Sequence, residues 1–214
     1  MNNIIELKNI SKVFDNKKKT IVLKNLNFKF KKGSIYSLSG PSGSGKSTLL
    51  NLLSLIDRPS SGNIKIDKHN IDHNKIEDND KIRSNNIGIV YQEKNLLPDF
   101  TALENVCLAS LAINNNHKIA EQESLKIIQK VGLKDRINHF PSELSGGELQ
   151  RIAISRAIVN KPRIILADEP TGSLDHENAN QIFNLLFKLK NKDRVIIFAT
   201  HNRFFANKAD YKIS

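Results

Sequence analysis

Eight consecutive residues carry the clearest chemistry. Gly40-Pro41-Ser42-Gly43-Ser44-Gly45-Lys46-Ser47 obeys the spacing G-x-x-x-x-G-K-[ST]. Glycines let the backbone curl so that successive N–H groups converge on phosphate oxygens. The Lys46 ammonium suits the β- and γ-phosphates of a nucleotide, and the Ser47 hydroxyl suits Mg²⁺. An apolar stretch, Ile35 to Leu38, runs into this loop, and Ser47-Thr48-Leu49-Leu50 leaves it as a helix start. The helix N-terminus adds partial positive charge. Gly40, Pro41, Ser42, Gly43, Ser44, Gly45, Lys46, Ser47 and Thr48 are the candidate phosphate-binding residues.

Two further stretches supply what a phosphate loop lacks. Arg163-Ile164-Ile165-Leu166-Ala167 is apolar and ends in Asp168-Glu169-Pro170. Alone, such a strand end is usually just a turn. Downstream of a phosphate loop, Asp168 suits Mg²⁺ held through water, and Glu169 suits a general base for the attacking water. His201 ends another apolar stretch, Val195 to Thr200. On a neighbouring parallel strand it would stand where open α/β sheets bind ligands, able to contact a γ-phosphate and orient Glu169. His69 and His73 are four apart in a polar stretch without further ligands, which argues against a metal site there.

The third stretch is Leu144-Ser145-Gly146-Gly147-Glu148-Leu149-Gln150-Arg151. Ser145 with Glu148 three residues on is a capping box, so a helix begins here. Two glycines in a first turn weaken it. That cost points to close approach of a ligand or another chain at Ser145, Gly146 and Gly147, where bare N–H groups suit an anion.

The elements that must hold these groups follow from periodicity. Leu26, Phe28 and Phe30 alternate with Asn27 and Lys29, a half-buried strand. A helix is expected from about Ser47 to Ile56, strands at Gly62 to Asp67 and Ile87 to Tyr91, and polar irregular surface from His69 to Asn86. Helices are expected over Leu103 to Ala112 and Ile119 to Val131, the second stopped by Gly132, with a loop at Asn114-Asn115-Asn116. Ile182, Leu185, Leu186 and Leu189 mark one helix face. Strand–helix alternation at both ends predicts an α/β fold: a P-loop core with a mainly parallel sheet over 1–92 and 160–214, an antiparallel β subdomain at the N-terminus, and an inserted helical subdomain over 93–159.

Composition bounds the setting. The 214 residues fit one core and a small subdomain. No apolar run approaches the roughly 18 residues of a membrane-spanning helix, the start lacks a signal-peptide layout, and the single Cys107 cannot form an internal disulfide. A cytosolic protein is expected. The 33 basic and 22 acidic residues give +11. That charge suits nucleic acid, an anionic membrane surface or plain solvation. The one run, Lys17-Lys18-Lys19, falls in an expected hairpin turn and favours solvation.

These residues together resemble the ATP-binding cassette (ABC) family over essentially the whole chain. Leu144 to Arg151 is similar to the family's signature motif, and it lies between the phosphate loop and Asp168-Glu169 as in that family. The resemblance implies further roles. Phe14 would stack on adenine, Gln92 would sense Mg²⁺ and the γ-phosphate, Ser173-Leu174-Asp175 would form the D-loop, and His201 would be the switch histidine. It also implies that two subunits sandwich two ATP molecules, with Ser145 and Gly147 acting in trans.

Within the family the chain resembles the LolD type, the branch that powers lipoprotein release. The similar stretches are Tyr91-Gln92 with Asn95 to Val106, Asn138 to Glu148, and Ala167 to Gly172. MacB-type exporters and FtsE-type cell-division ATPases share much of this. Three departures stand out: Asn202 where aspartate is usual, Leu149 at an often polar position, and an end at Ser214 where relatives add a strand, expected to weaken the end of the core. The implied protein is a peripheral ATPase on the cytoplasmic side of the inner membrane. It would bind permease subunits through the helical subdomain and touch neither the cargo nor nucleic acid. A ribosome-linked ABC ATPase is disfavoured, since those relatives carry paired cassettes, a coiled-coil insertion or zinc cysteines.

Overall fold

The computed structural model describes residues 3–15 and 19–214. Lys17 and Lys18, assigned above to a hairpin turn, lie outside the described residues. The chain runs through strands β1 (Asn3–Asp15), β2 (Lys19–Lys31) and β3 (Ile35–Leu38), helix α1 (Lys46–Leu53), strands β4 (Ser61–Ile66) and β5 (His69–Asn70), helix α2 (Ile76–Asn86) and strand β6 (Ile87–Val90). Helices α3 (Ala102–Leu111), α4 (His117–Lys130) and α5 (Gly146–Ile158) come next. Strand β7 (Ile164–Asp168), helix α6 (His176–Lys188), strand β8 (Val195–Ala199), helix α7 (Arg203–Ala206) and strand β9 (Tyr211–Ile213) complete it. Among the described residues no helix is long and apolar enough to cross a membrane.

Two sheets divide the strands. One is antiparallel, in the order β2-β1-β4-β5; the other runs β6-β7-β8-β3-β9 with every neighbouring pair parallel. The central parallel strands are buried on both faces, which is why they read as unbroken apolar runs. Ile164, Leu166, Val195 and Ile197 face a core shared with α1 and the antiparallel sheet, through Leu49, Leu52, Ile5 and Ile64. Ile165, Ala167, Ile196 and Phe198 face the opposite core, formed by Ile154 and Ile158 of α5 with Ile182, Phe183 and Leu186 of α6. A third cluster joins α3, α4 and α5 through Val106, Ile128 and Ile152.

The helix over Ser47 to Ile56 and the others named from sequence lie within a few residues of expectation. Gly132 stops α4 with φ 78°, the left-handed turn that favours glycine. The stretch from His69 to Asn86, expected to be irregular, is instead β5 and α2. Its polarity hid the helix. Glu77 and Asp78 sit in the first turn, where they suit the helix dipole, Arg83 pairs with Asp80 at 2.8 Å, and buried Asn79 donates to the Asp72 carbonyl at 2.9 Å. At the other end, β9 pairs with β3, and Tyr211 stacks on Tyr36 with ring centroids 4.9 Å apart.

Candidate active site

Sheet register assembles the site. Leu38 of β3 and Asp168 of β7 both lie level with Ala199 of β8. The phosphate loop, Glu169 and His201 therefore leave the sheet at one edge. On the far side of β7, Val90 of β6 lies level with Ala167, so Gln92 and Glu169 stand equally far beyond. Backbone bonds fix the edge: Glu169 N donates to the Ala199 carbonyl at 3.0 Å, and Thr200 N to the Leu38 carbonyl at 3.2 Å.

A cleft of about 350 Å³ opens there, lined by Ser42, Gly43, Gly45, Lys46, Ser47, Thr48, Gln92, Asp168, Glu169 and His201, with Val22 of β2. Gly40 and Pro41 border an adjacent cleft with Thr200 and His201. The loop glycines differ in purpose. Gly43 has φ 79° with nothing near its missing Cβ, so a ligand can approach its backbone. Gly45 has φ 92°, and a Cβ there would meet Val22 Cγ1 at 3.1 Å. Lys46 Nζ donates to the Gly40 and Pro41 carbonyls, both at 2.9 Å, and so braces the loop as well as charging it. Removing it by Lys46→Ala loses a fixed cation and two charge-assisted bonds. Nucleotide affinity should fall roughly ten- to hundredfold, and a titration with unchanged affinity would refute that role.

Glu169 is the most constrained residue of the cleft. Its φ is 42°, a strained value for a side chain of this kind. Its carboxylate is 14% exposed and stands 3.3 Å from His201 Nε2, yet buried Oε1 accepts no hydrogen bond. Burial pushes its pKa up; the facing His201 and the Thr200 hydroxyl pull it back, and Asp168 adds to the rise.

The donor set suits a nucleotide and a hard divalent cation. Ser47, Gln92 and Asp168 line this cleft and offer hydroxyl, amide and carboxylate oxygens, the ligand chemistry of Mg²⁺. An orphaned carboxylate oxygen at Glu169 and the open backbone at Gly43 fit the same occupant.

Other candidates lie elsewhere. Phe14, on β1, is 37% exposed and has the Lys12 ammonium 4.9 Å from its ring centroid. Ser145, Gly146 and Gly147 are not in the cleft. The capping box is present: Ser145 Oγ accepts from Glu148 N at 3.3 Å, and Glu148 Oε2 accepts from Ser145 N at 2.8 Å. The hydrogen bond from Arg136, whose Nε stands 2.9 Å from Oε1, and those from Ser145 bring the Glu148 pKa down to about 2. Ser145 and Gly146 are exposed, but Gly147 is buried. The close approach that requires glycine at 147 is made by the same chain: a Cβ there would stand 2.5 Å from Asn178 Oδ1. Asn178 in turn donates to Asp175 Oδ2 at 2.6 Å, and Asp175 caps α6. Asp175 is thus tied to the start of α5 through Asn178. Two of the family departures have local reasons. Leu149 packs on the three-helix cluster, and Asn202 caps α7 by accepting from Phe204 N at 2.9 Å.

A phosphate loop at the end of a parallel strand, facing an Asp-Glu strand end in a sheet flanked by an antiparallel layer, defines a P-loop nucleotide hydrolase. The family model for the ABC transporter matches residues 23–172, and the chain belongs to that family, as one of its ATP-hydrolysing subunits. It is 46% identical over 213 residues to the lipoprotein-releasing system ATP-binding protein LolD of Ehrlichia canis, covering 98% of this chain and 93% of that one. It is 43% identical over 208 residues to the uncharacterised ABC transporter ATP-binding protein YvrO of Bacillus subtilis, covering 97% and 91%. Among solved structures it is similar to the dimeric bacterial ABC transporter cassette MJ0796, at 38% identity and a TM-score of 0.88 over 98% of this chain and 94% of that one. A post-hydrolysis dimer of MJ0796 bound to ADP and Pi gives 35% and 0.89 over 99% and 97%.

Proposed function

We propose that this chain is the motor of a transporter that releases lipoproteins from the inner membrane, working through a separate permease while it lies on the cytoplasmic face. The similarity to proteins named for lipoprotein release, over nearly the full chain, carries this reading. Two copies sandwich two ATP molecules. Gly40 to Thr48 hold the phosphates, Phe14 stacks on adenine, and Ser145, Gly146 and Gly147 of the other copy close over the γ-phosphate, with Asp175 beside the seam. Ser47, Gln92 and Asp168 would hold Mg²⁺, which would offset charge on the terminal phosphates. Glu169 takes the proton of the attacking water, and His201 orients it. Proteoliposomes holding the chain and its permease should pass a lipid-anchored protein to an acceptor only with ATP. ATP turnover with no release would overturn the cargo.

The reading extends to the permease contact, which it assigns to the loop after Gln92. Its apolar residues divide: Leu96 packs on the three-helix cluster, while Leu97 and Phe100 are 45% and 38% exposed. The loop is held rigid by buried Asn105, whose Nδ2 donates to the carbonyls of Leu97, Phe100 and Thr101 at 3.1, 2.9 and 3.0 Å. An exposed, braced apolar loop is ready to receive a partner. Leu97→Glu should leave ATP hydrolysis by the isolated chain intact and abolish co-purification with the permease. Lost hydrolysis in the isolated chain would make Leu97 a core residue, and normal co-purification would reject the contact.

A further inference from the structure

We infer that Arg156, on α5, is a positioning residue for Gln92; this rests on the reading of Gln92 as a residue that faces the nucleotide. Its guanidinium clamps the backbone of the loop that carries Gln92. Nη1 donates to the Asn95 carbonyl at 2.6 Å and Nη2 to the Lys94 carbonyl at 2.9 Å. Asn95 has φ 49°, a left-handed turn that asparagine tolerates. The turn brings two consecutive carbonyls onto one planar fork, a geometry that arginine offers and lysine does not.

Arg156 has no carboxylate partner among the described ion pairs, and burial pushes its pKa down. A half-buried cation satisfied by carbonyls alone is an expensive way to fill space. What it fastens explains the cost. Asn105 holds the far end of the loop at Leu97 and Phe100; nearer Gln92, the Lys94 ammonium bonds the Ser173 hydroxyl, and Gln150 Nε2 reaches the Tyr91 carbonyl at 3.5 Å. Gln92 itself packs against Gly172, where a Cβ would stand 3.1 Å from its Nε2. The loop is strung between α5 and the 171–175 turn. Arg156 and Gln150 lie on the helix that begins with Gly146 and Gly147. A shift of that helix must drag the two carbonyls, and Gln92 with them.

Arg156→Lys keeps the charge and removes the fork. Turnover at saturating ATP should fall roughly tenfold or more, the scale of a misplaced active-site group. Affinity for a non-hydrolysable ATP analogue should not change, because Gly40 to Thr48 are untouched. The deciding comparison is a double-mutant cycle with Gln92→Ala. If Arg156 acts through Gln92, the double variant turns over no more slowly than Gln92→Ala alone. Additive losses, or full activity in Arg156→Lys, overturn the inference. A fully active Gln92→Ala removes the reading of Gln92 and the inference with it, a result distinct from additivity. Independently of turnover, amide exchange over 91–97 should accelerate in Arg156→Lys while the amides of α5 keep their protection; unchanged exchange overturns the clamp. Should Arg156→Lys not fold, Arg156→Gln repeats the cycle without a charge to bury. Collapse of both would make Arg156 structural and overturn the positioning role.

Discussion

Glu169→Gln is expected to bind ATP normally and to hydrolyse it roughly 10²–10⁴-fold more slowly, the range for loss of a general base. The change is nearly isosteric. It keeps the bulk at a site that is 14% exposed, and it leaves Lys46, Ser47 and the glycine cradle alone. What it removes is the ability of Oε1 to accept a proton. In the native chain that oxygen is buried beside His201 Nε2, 3.3 Å away, and accepts no hydrogen bond, so its acceptor capacity is unspent. Burial also raises the Glu169 pKa above its ordinary value, which brings a carboxylate nearer to a useful base at neutral pH. The sign of the pH effect follows. Above the raised pKa the carboxylate is ionised and active. As pH falls through it, the base is protonated and turnover declines, earlier than for an ordinary glutamate. Phosphate release measured across pH should show that acid limb in the native chain and lose it in Glu169→Gln. Turnover within a few-fold of native would sink the assignment.

The part of this site that sequence made legible is the part held by the backbone. The spacing from Gly40 to Ser47 and the apolar runs ending at Asp168 and Thr200 are local patterns. Parallel register then does the assembly, since Leu38, Ala199 and Asp168 lie level once the strands pair. The capping box at Ser145 was equally local, and both halves of it form. The parallel strands were legible as apolar runs because their burial on two faces leaves no polar interruption.

What stayed hidden is what one side chain does to a distant backbone. Val22 lines the cleft and packs on Gly45, but nothing in Ile21-Val22-Leu23 distinguishes it from any strand residue. Nothing in the sequence marks Asn105 as the residue that braces three carbonyls of the loop before it. Arg156 carries no sequence signal for the two carbonyls it holds. Gly147 carries a second reason for its own signal. Its cost in a first helical turn points to a ligand or a second chain, and Asn178 of the same chain also leaves no room for a Cβ. Helix α2 was missed for a different reason. It carries charges at its ends and one buried asparagine, and Ile82 packs on the core, too little apolar face for periodicity to find.

The second large effect concerns two copies of the chain. With ATP, Glu169→Gln is expected to accumulate as a dimer, because stalled hydrolysis leaves the nucleotide as glue between two surfaces. Adding Ser145→Arg is expected to abolish that dimer. Ser145 is exposed at the start of α5 and outside the chain's own nucleotide cleft, so within one copy it has no phosphate to face. Its hydroxyl is nonetheless fixed by the capping box, with Glu148 anchored to Arg136 at 2.9 Å. A helix start held this firmly and left bare is suited to an anion arriving from another molecule. An arginine there removes the cap, at a cost of about 1 kcal/mol to the helix, and fills the space the phosphate would enter. Since the helix is long and packed along its length, that cost leaves the fold intact, as an unchanged melting temperature to within a few degrees would verify. Size-exclusion chromatography with ATP then separates the cases. The double variant should run as a monomer where Glu169→Gln runs as a dimer. Equal dimer content in the two would place Ser145 away from the nucleotide seam, and would return Gly146 and Gly147 to a purely structural part in seating α5 on Leu174 and Asn178.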